Sequence, residues 1–342
     1  MDAATMQIPP PPKTDSERRH LREHFLEPEI RCGTEVSVRT KEVWKCMLDM
    51  LEEFIRVCDK YGLKWSVASG TLLGAVRHGG FIPWDEDLDV AMPRKDFNKF
   101  LKIAPKELSH PYMLQTWTTD RDVFQIFARL RNSETASILD WYASHHWKCN
   151  MGIFIDIYTI EGIPGGRLAH RLYNRALRVV TRMRWQSMDP PAYQPFTFKD
   201  RIRKIVFRVV GVKVLFKILN TFTSWFTVDN CLMVGLTPFH SGIWTNGMVP
   251  ARYFESYKTV DFEYLRVKVP ERCEQVLGAY YGNWTKFVKG ACGHDGNLVV
   301  DPHRSYREVL PERFAKYGYS AADFKDDPWR RLPAKKGDSS RD

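Results

Sequence analysis

Ser69-Gly70-Thr71-Leu72-Leu73-Gly74-Ala75-Val76-Arg77, a break at Gly79-Gly80, and then Trp84-Asp85-Glu86-Asp87-Leu88-Asp89-Val90 form the stretch that decides how this chain is read. Residues 64–68 predict a short strand, Ser69-Gly70-Thr71 a turn, 72–77 a helix and 87–92 a second strand. In a strand, residues two apart point the same way, so Asp87 and Asp89 are expected on one face with Leu88 and Val90 packed behind them. Two carboxylates that close repel, and a divalent cation between them removes the cost; Mg2+ or Mn2+ suits such hard oxygen ligands. A bare Asp-x-Asp is more often a solvated acidic turn, so its neighbours decide.

Working outward, Gly152-Ile153-Phe154-Ile155-Asp156-Ile157-Tyr158 predicts a strand with its isoleucines on one face and Asp156 on the other. An Asp in such an apolar run is expensive to bury unless paired or metal-bound, which leaves a hydrogen-bonded structural Asp and a ligand both open. Gly70 lets backbone N–H groups approach an anion at a helix N-terminus, so Ser69, Gly70 and Thr71 are candidates for holding donor phosphates. Arg77 is a candidate for neutralising pyrophosphate charge, with a surface ion pair as its rival. Three carboxylates and a phosphate cradle together suffice for metal-assisted phosphoryl transfer, with Asp87, Asp89 and Asp156 as catalytic and metal-binding residues.

A helix over 39–60 is predicted from the 3.6-residue recurrence of Trp44, Met47, Leu48, Leu51, Phe54, Ile55 and Cys58. Further strands are expected at 112–116, 124–130 and 264–269, with helices at 94–103 and 271–281, giving an α/β (α+β) class with a mixed sheet. The chain carries a net charge of +10, and residues 168–227 hold 12 Lys+Arg against 2 Asp, so the net charge concentrates there. Arg171, Arg175, Arg178 and Arg182 share one face of a helix, and a second basic helix is expected over 199–219. These helices suit an anionic membrane surface or a polyanionic acceptor; nucleic acid is disfavoured because no recognised binding module occurs. Seven cysteines without a CxxC pair and an N-terminus without a signal-peptide pattern fit a cytoplasmic protein, peripheral at the inner face of the cytoplasmic membrane. The expected organisation is a lead-in (1–37), a catalytic core (38–165), an inserted basic helical region (166–232), the C-terminal part of the catalytic domain (233–320) and a loose charged tail (321–342).

The run from Ala68 to Val90, with Gly79-Gly80-Phe81-Ile82-Pro83-Trp84-Asp85-Glu86-Asp87-Leu88-Asp89, resembles the signature of the LicD family, to which fukutin and fukutin-related protein are distant relatives. Segments at 27–33, 267–270 and 281–284 look like further parts of bacterial members. The resemblance implies a nucleotidyltransferase-like fold and transfer of phosphocholine from CDP-choline to a sugar hydroxyl of a surface glycan of lipopolysaccharide or teichoic-acid type, with release of CMP. It puts Asp87 and Asp89 on the family's metal-binding pair, makes Asp156 similar to the third carboxylate, and matches Asp85 to the acidic position before the pair. Glu86 stands where Asp is common. A choline donor would call for an aromatic cage, for which Trp84, Trp141 and Tyr142 are candidates. Transfer of phosphoethanolamine, phosphoglycerol or phosphoribitol from its own CDP donor, and a non-catalytic membrane- or glycan-binding role, are the alternatives.

Overall fold

The computed structural model describes residues 10, 12–120, 122–123, 125–144, 147–187, 198–236, 248–288 and 298–319. The chain opens with α1 (Asp15–Glu23) and a hairpin of β1 (Glu29–Arg31) and β2 (Thr34–Val36), followed by α2 (Val38–Lys60), β3 (Ser66–Val67) and α3 (Ser69–His78). Next come β4 (Asp89–Pro93), α4 (Arg94–Glu107), β5 (Tyr112–Gln115), β6 (Ala128–Asn132), β7 (Ala136–Leu139), α5 (Asp140–Ser144) and β8 (Ile153–Ile163). Three helices follow, α6 (Arg167–Ser187), α7 (Phe198–Val210) and α8 (Val212–Thr223), then β9 (Met233–Leu236) and β10 (Val249–Pro250). The C-terminal elements are β11 (Tyr257–Phe262), β12 (Leu265–Pro270), α9 (Cys273–Tyr281), β13 (Leu298–Asp301) and α10 (Tyr306–Lys316).

The class expected from the sequence is the one observed: helices around a mixed, seven-stranded sheet. Its spine is β8, which pairs parallel with β4 and antiparallel with β6 and β9. Paired on both edges and packed against α2 and α4, β8 is buried along nearly its whole length. In α2, Ser37 caps the first turn by accepting from the Thr40 N–H. Trp44, Leu48, Leu51 and Phe54 then enter the main core at helical spacing. The 1–37 lead-in is more than a tail: α1 starts with a Thr14/Glu17 capping box, and Phe25 and Val36 join the main core. A second, smaller core gathers Trp117, Ile138, Tyr142, Trp147, Tyr306 and Phe314, where α10 and β13 return over β7.

Two elements depart from expectation. The 87–92 strand starts only at Asp89, where its pairing with β8 begins opposite Asp156. The 199–219 helix is broken at Gly211, whose φ of +78° lies in the left-handed region, splitting it into α7 and α8. The helical region docks through Tyr173, Leu177 and Leu219 in the smaller core and through a polar link: Arg94 forms a buried ion pair with Glu161 of β8 and donates to Asn220 Oδ1 of α8 at 2.8 Å. Such a pair positions elements more than it stabilises them, since desolvation offsets much of its attraction. Six cysteines lie among the described residues and all are free. No described helix is long and apolar enough to cross a membrane. The 321–342 tail lies outside the described residues.

Candidate active site

The site is a row across three strands. The register sets Asp89 of β4 opposite Asp156 of β8, and Asp156 opposite Arg129 of β6. Side chains at matched positions of adjacent strands share a face, so Arg129, Asp156 and Asp89 stand side by side. The loop before β4 brings Asp85 and Asp87 to the same place, and α3 begins directly beneath. Trp44 of α2 fixes that loop: it stacks on Phe81 at 4.6 Å between ring centroids, and its Nε1 donates to the Asp85 carbonyl at 3.1 Å.

Asp89 is the most demanding residue of the cluster. It is 5 % exposed, and its Oδ1 is buried with no hydrogen-bond partner. Burial, and then the charges of Asp87, Asp156 and Asp85, push its carboxyl well above the ordinary range, with the Ser69 hydroxyl partly offsetting them. Asp85 is pushed up to about 8 by burial and by the charge and hydrogen bond of Asp87. A buried carboxylate with an orphaned oxygen, next to two more, is a donor set that asks for positive charge. Asp85, Asp87 and Asp89 therefore offer the oxygen-donor chemistry that a hard divalent cation takes.

Asp156 is different, because it already has partners. Arg129 Nε donates to its Oδ1 at 2.6 Å, and the Tyr158 hydroxyl donates to Oδ2 at 3.1 Å. The Arg129 guanidinium lies 4.1 Å from the Phe154 ring centroid, which fixes its plane. Burial opposes the charge of Arg129, but Asp156 outweighs burial and raises its pKa. Of the two readings left open for Asp156, the structure displays the paired one. Among the described residues, the one set of three His, Cys, Asp or Glu side chains with ligand atoms within 4.8 Å of one another is the exposed His20, Glu23 and His24 of α1. Asp85, Asp87 and Asp89 are more widely spread, their ligand oxygens not all lying within 4.8 Å of one another, and Asp156 is held toward Arg129.

The turn residues divide as well. A Cβ at Gly70 would lie 2.6 Å from Asp85 Oδ2, so the glycine is what admits that carboxylate to the N-terminus of α3. Ser69 takes a φ of +46°, uncommon for a residue with a side chain, and its hydroxyl serves Asp89. Thr71 is buried, and its Oγ1 accepts the Asp89 N–H at 2.8 Å. Its oxygen thus positions Asp89, a bond that does not use the hydroxyl's own hydrogen. Arg77 fits neither of its expected roles: it is buried and donates to the carbonyls of Trp284 (2.8 Å) and Lys286 (3.2 Å), tying α3 to the chain after α9. Trp84 is half-buried against the main core, and Tyr142 is built into the smaller core, where Gln125 donates to its hydroxyl. Trp141 lies in α5, with its side chain outside the described set. Sequence reasoning missed Arg129; its only signal was the alternation Arg129-Leu130-Arg131, which puts two cations on one side of a strand.

His78 ends α3 with its ring between Arg77 and Cys32. Burial, then Arg77 and Arg31, depress its pKa to about 3 from an ordinary 6.5. The unfolded chain therefore binds a proton below pH 6.5 that the folded chain refuses, so this residue costs stability as pH falls from about 6.5 toward 3. His78→Asn is expected to flatten that loss, read as urea midpoints across the same pH range.

Fold and site together define an α/β domain built round a buried aspartate cluster at a strand–glycine turn–helix junction. Residues 62–157 match the family described as LicD/FKTN/FKRP, nucleotidyltransferase domain. The chain is 26 % identical over 247 residues to the lipopolysaccharide cholinephosphotransferase LicD of Haemophilus influenzae, covering 70 % of this chain and 88 % of that protein. It is 37 % identical over 143 residues to an uncharacterized protein of Rickettsia prowazekii, 42 % of this chain and 48 % of that one. Human ribitol 5-phosphate transferase FKRP is 30 % identical over 94 residues, 26 % of this chain and 19 % of its own length.

Proposed function

We propose that this protein is a divalent-cation-dependent transferase that moves phosphocholine from CDP-choline to a sugar hydroxyl of a surface glycan and releases CMP. Support comes from the similarity to a cholinephosphotransferase acting on lipopolysaccharide, which runs over most of both chains. The observation that carries the reading is Asp89: a fully buried carboxylate with an orphaned Oδ1, set in register beside Asp156 and crowded by Asp85 and Asp87. A degenerate binding protein would have no use for so costly a cluster.

In this reading Asp87 and Asp89, with Asp85, hold Mg2+ or Mn2+, which when bound offsets donor phosphate charge and favours ionisation of the acceptor hydroxyl. Gly70 seats the Asp85 carboxylate at the α3 N-terminus and the Ser69 hydroxyl serves Asp89, so both turn residues set the carboxylates beside which the donor's phosphates would lie. Asp156, oriented by Arg129 and Tyr158, accepts the proton of the attacking hydroxyl. The sugar oxygen forms a bond to the phosphocholine phosphorus as that phosphorus loses its bridging oxygen to CMP. The cluster has no feature that selects choline, and the similarity to a ribitol 5-phosphate transferase supports CDP-ribitol as the second donor. The protein would work in the cytoplasm, where CDP-alcohols are made.

The test is CMP release, followed by chromatography, from CDP-choline, CDP-ethanolamine, CDP-glycerol and CDP-ribitol with Mg2+ and lipopolysaccharide- or teichoic-type acceptors. Release from CDP-choline is expected; release from CDP-ribitol alone would move the reading to the second donor. No release from any donor by folded protein would refute it. In the same assay Gly70→Ala is expected to cost about 10–100-fold, because the new methyl expels the Asp85 carboxylate from its place, with little change in melting temperature.

A further inference from the structure

We infer that α7, with the exposed faces of α6 and α8, docks this protein on an anionic lipid bilayer. On α7, Phe198, Ile202, Ile205, Val206 and Val209 recur at the spacing of one helical face, and their exposure runs from 41 % (Val206) to 81 % (Val209). An amphipathic helix of a folded protein ordinarily turns that face to the core, yet here it faces out. The neighbouring helices add exposed i,i+4 pairs, Leu168 with Leu172 and Val214 with Ile218, while Tyr173, Leu177, Leu215 and Leu219 make the inward contacts.

Charge selects the occupant. Arg171, Arg175 and Arg178 of α6 and Lys213 and Lys217 of α8 are exposed around these apolar side chains. The stretch 168–227 carries 12 Lys+Arg against 2 Asp. A polyanionic glycan would engage the cations and leave the apolar stripe wet. A second copy would cover the stripe but set like charges against each other. An anionic bilayer uses both, with apolar side chains at the acyl boundary and cations among the lipid phosphates. The helices lie outside residues 62–157 that match the LicD-type domain, so this surface is an addition to the domain. The attachment is peripheral, since no described helix could span the bilayer.

Co-sedimentation of the full chain with vesicles tests this, using phosphatidylcholine alone and phosphatidylcholine mixed with phosphatidylglycerol. Pelleting with the mixed vesicles, weakened by added salt, is expected. Ile205→Glu/Val209→Glu, at two exposed positions, is expected to lower binding at least ~tenfold with an unchanged circular dichroism spectrum. Lys213→Gln/Lys217→Gln serves as a second variant that leaves the apolar stripe intact and should weaken binding to the anionic vesicles only. Absence of pelleting, equal pelleting of the glutamate variant, binding to anionic glycan but not to vesicles, or a solution dimer that the glutamate variant dissociates would each overturn the inference. Vesicle binding needs no donor nucleotide, so its outcome is independent of CMP release.

Discussion

Asp89→Asn is expected to lower CMP release by about a thousandfold or more while making the protein more stable, not less. The two effects have one cause. Asp89 is buried, its Oδ1 has no partner, and three other aspartates crowd it. An amide of nearly the same shape removes the charge and keeps the packing, which should return about 1–3 kcal/mol. The folded-state pKa is raised, so the cost of this carboxylate is absent at low pH and grows as pH rises above the ordinary 3.8. The stability gain of the variant should therefore be larger at pH 8 than at pH 4. Mg2+ should raise the melting temperature of the native chain near neutral pH and leave that of Asp89→Asn unmoved. A variant that is both inactive and less stable would show that Asp89 is an ordinary structural residue.

Arg129→Met is expected to have the largest effect on stability, a loss of about 3–5 kcal/mol by urea denaturation. The methionine fills much of the same space against Phe154 but leaves Asp156 buried with only the Tyr158 hydroxyl as a donor. Arg129→Met/Asp156→Asn should recover most of that loss, because removing both charges removes the unpaired one. It should not recover CMP release, since the proposed proton acceptor is gone. A single-variant loss below about 1 kcal/mol would mean that the pair is hydrated and that Asp156 is free to turn toward a cation.

Local physics made much of this legible in the sequence. The α2 period, the stop of α3 at Gly79 (φ +64°) and the alternation of Ile153, Ile155 and Ile157 around Asp156 all depend on neighbours within a few residues. The Asp cluster was found because its residues lie close together in the chain. What stayed hidden depends on distant partners. That Asp89 stands beside Asp156 follows from a parallel strand register, which nothing within either segment specifies. Arg77 looked free because the carbonyls it satisfies lie 207 and 209 residues away. The acceptor role of Thr71 toward the Asp89 N–H was likewise hidden, because it needs the fold to be known. Gly211 was a readable break, overridden by the strong apolar and basic pattern on either side of it. Asp87 lies before the strand because pairing with β8 begins only at Asp89, which again needs the partner strand to be known.

The central claim is that Asp85, Asp87 and Asp89 form a divalent-cation site, and Mn2+ titration followed by electron paramagnetic resonance tests it most directly. The native chain should bind Mn2+, Mg2+ should compete for the same site, and Asp89→Asn should bind at least ~tenfold more weakly. Equal Mn2+ binding by the native chain and the folded variant, or none by either, would contradict the account.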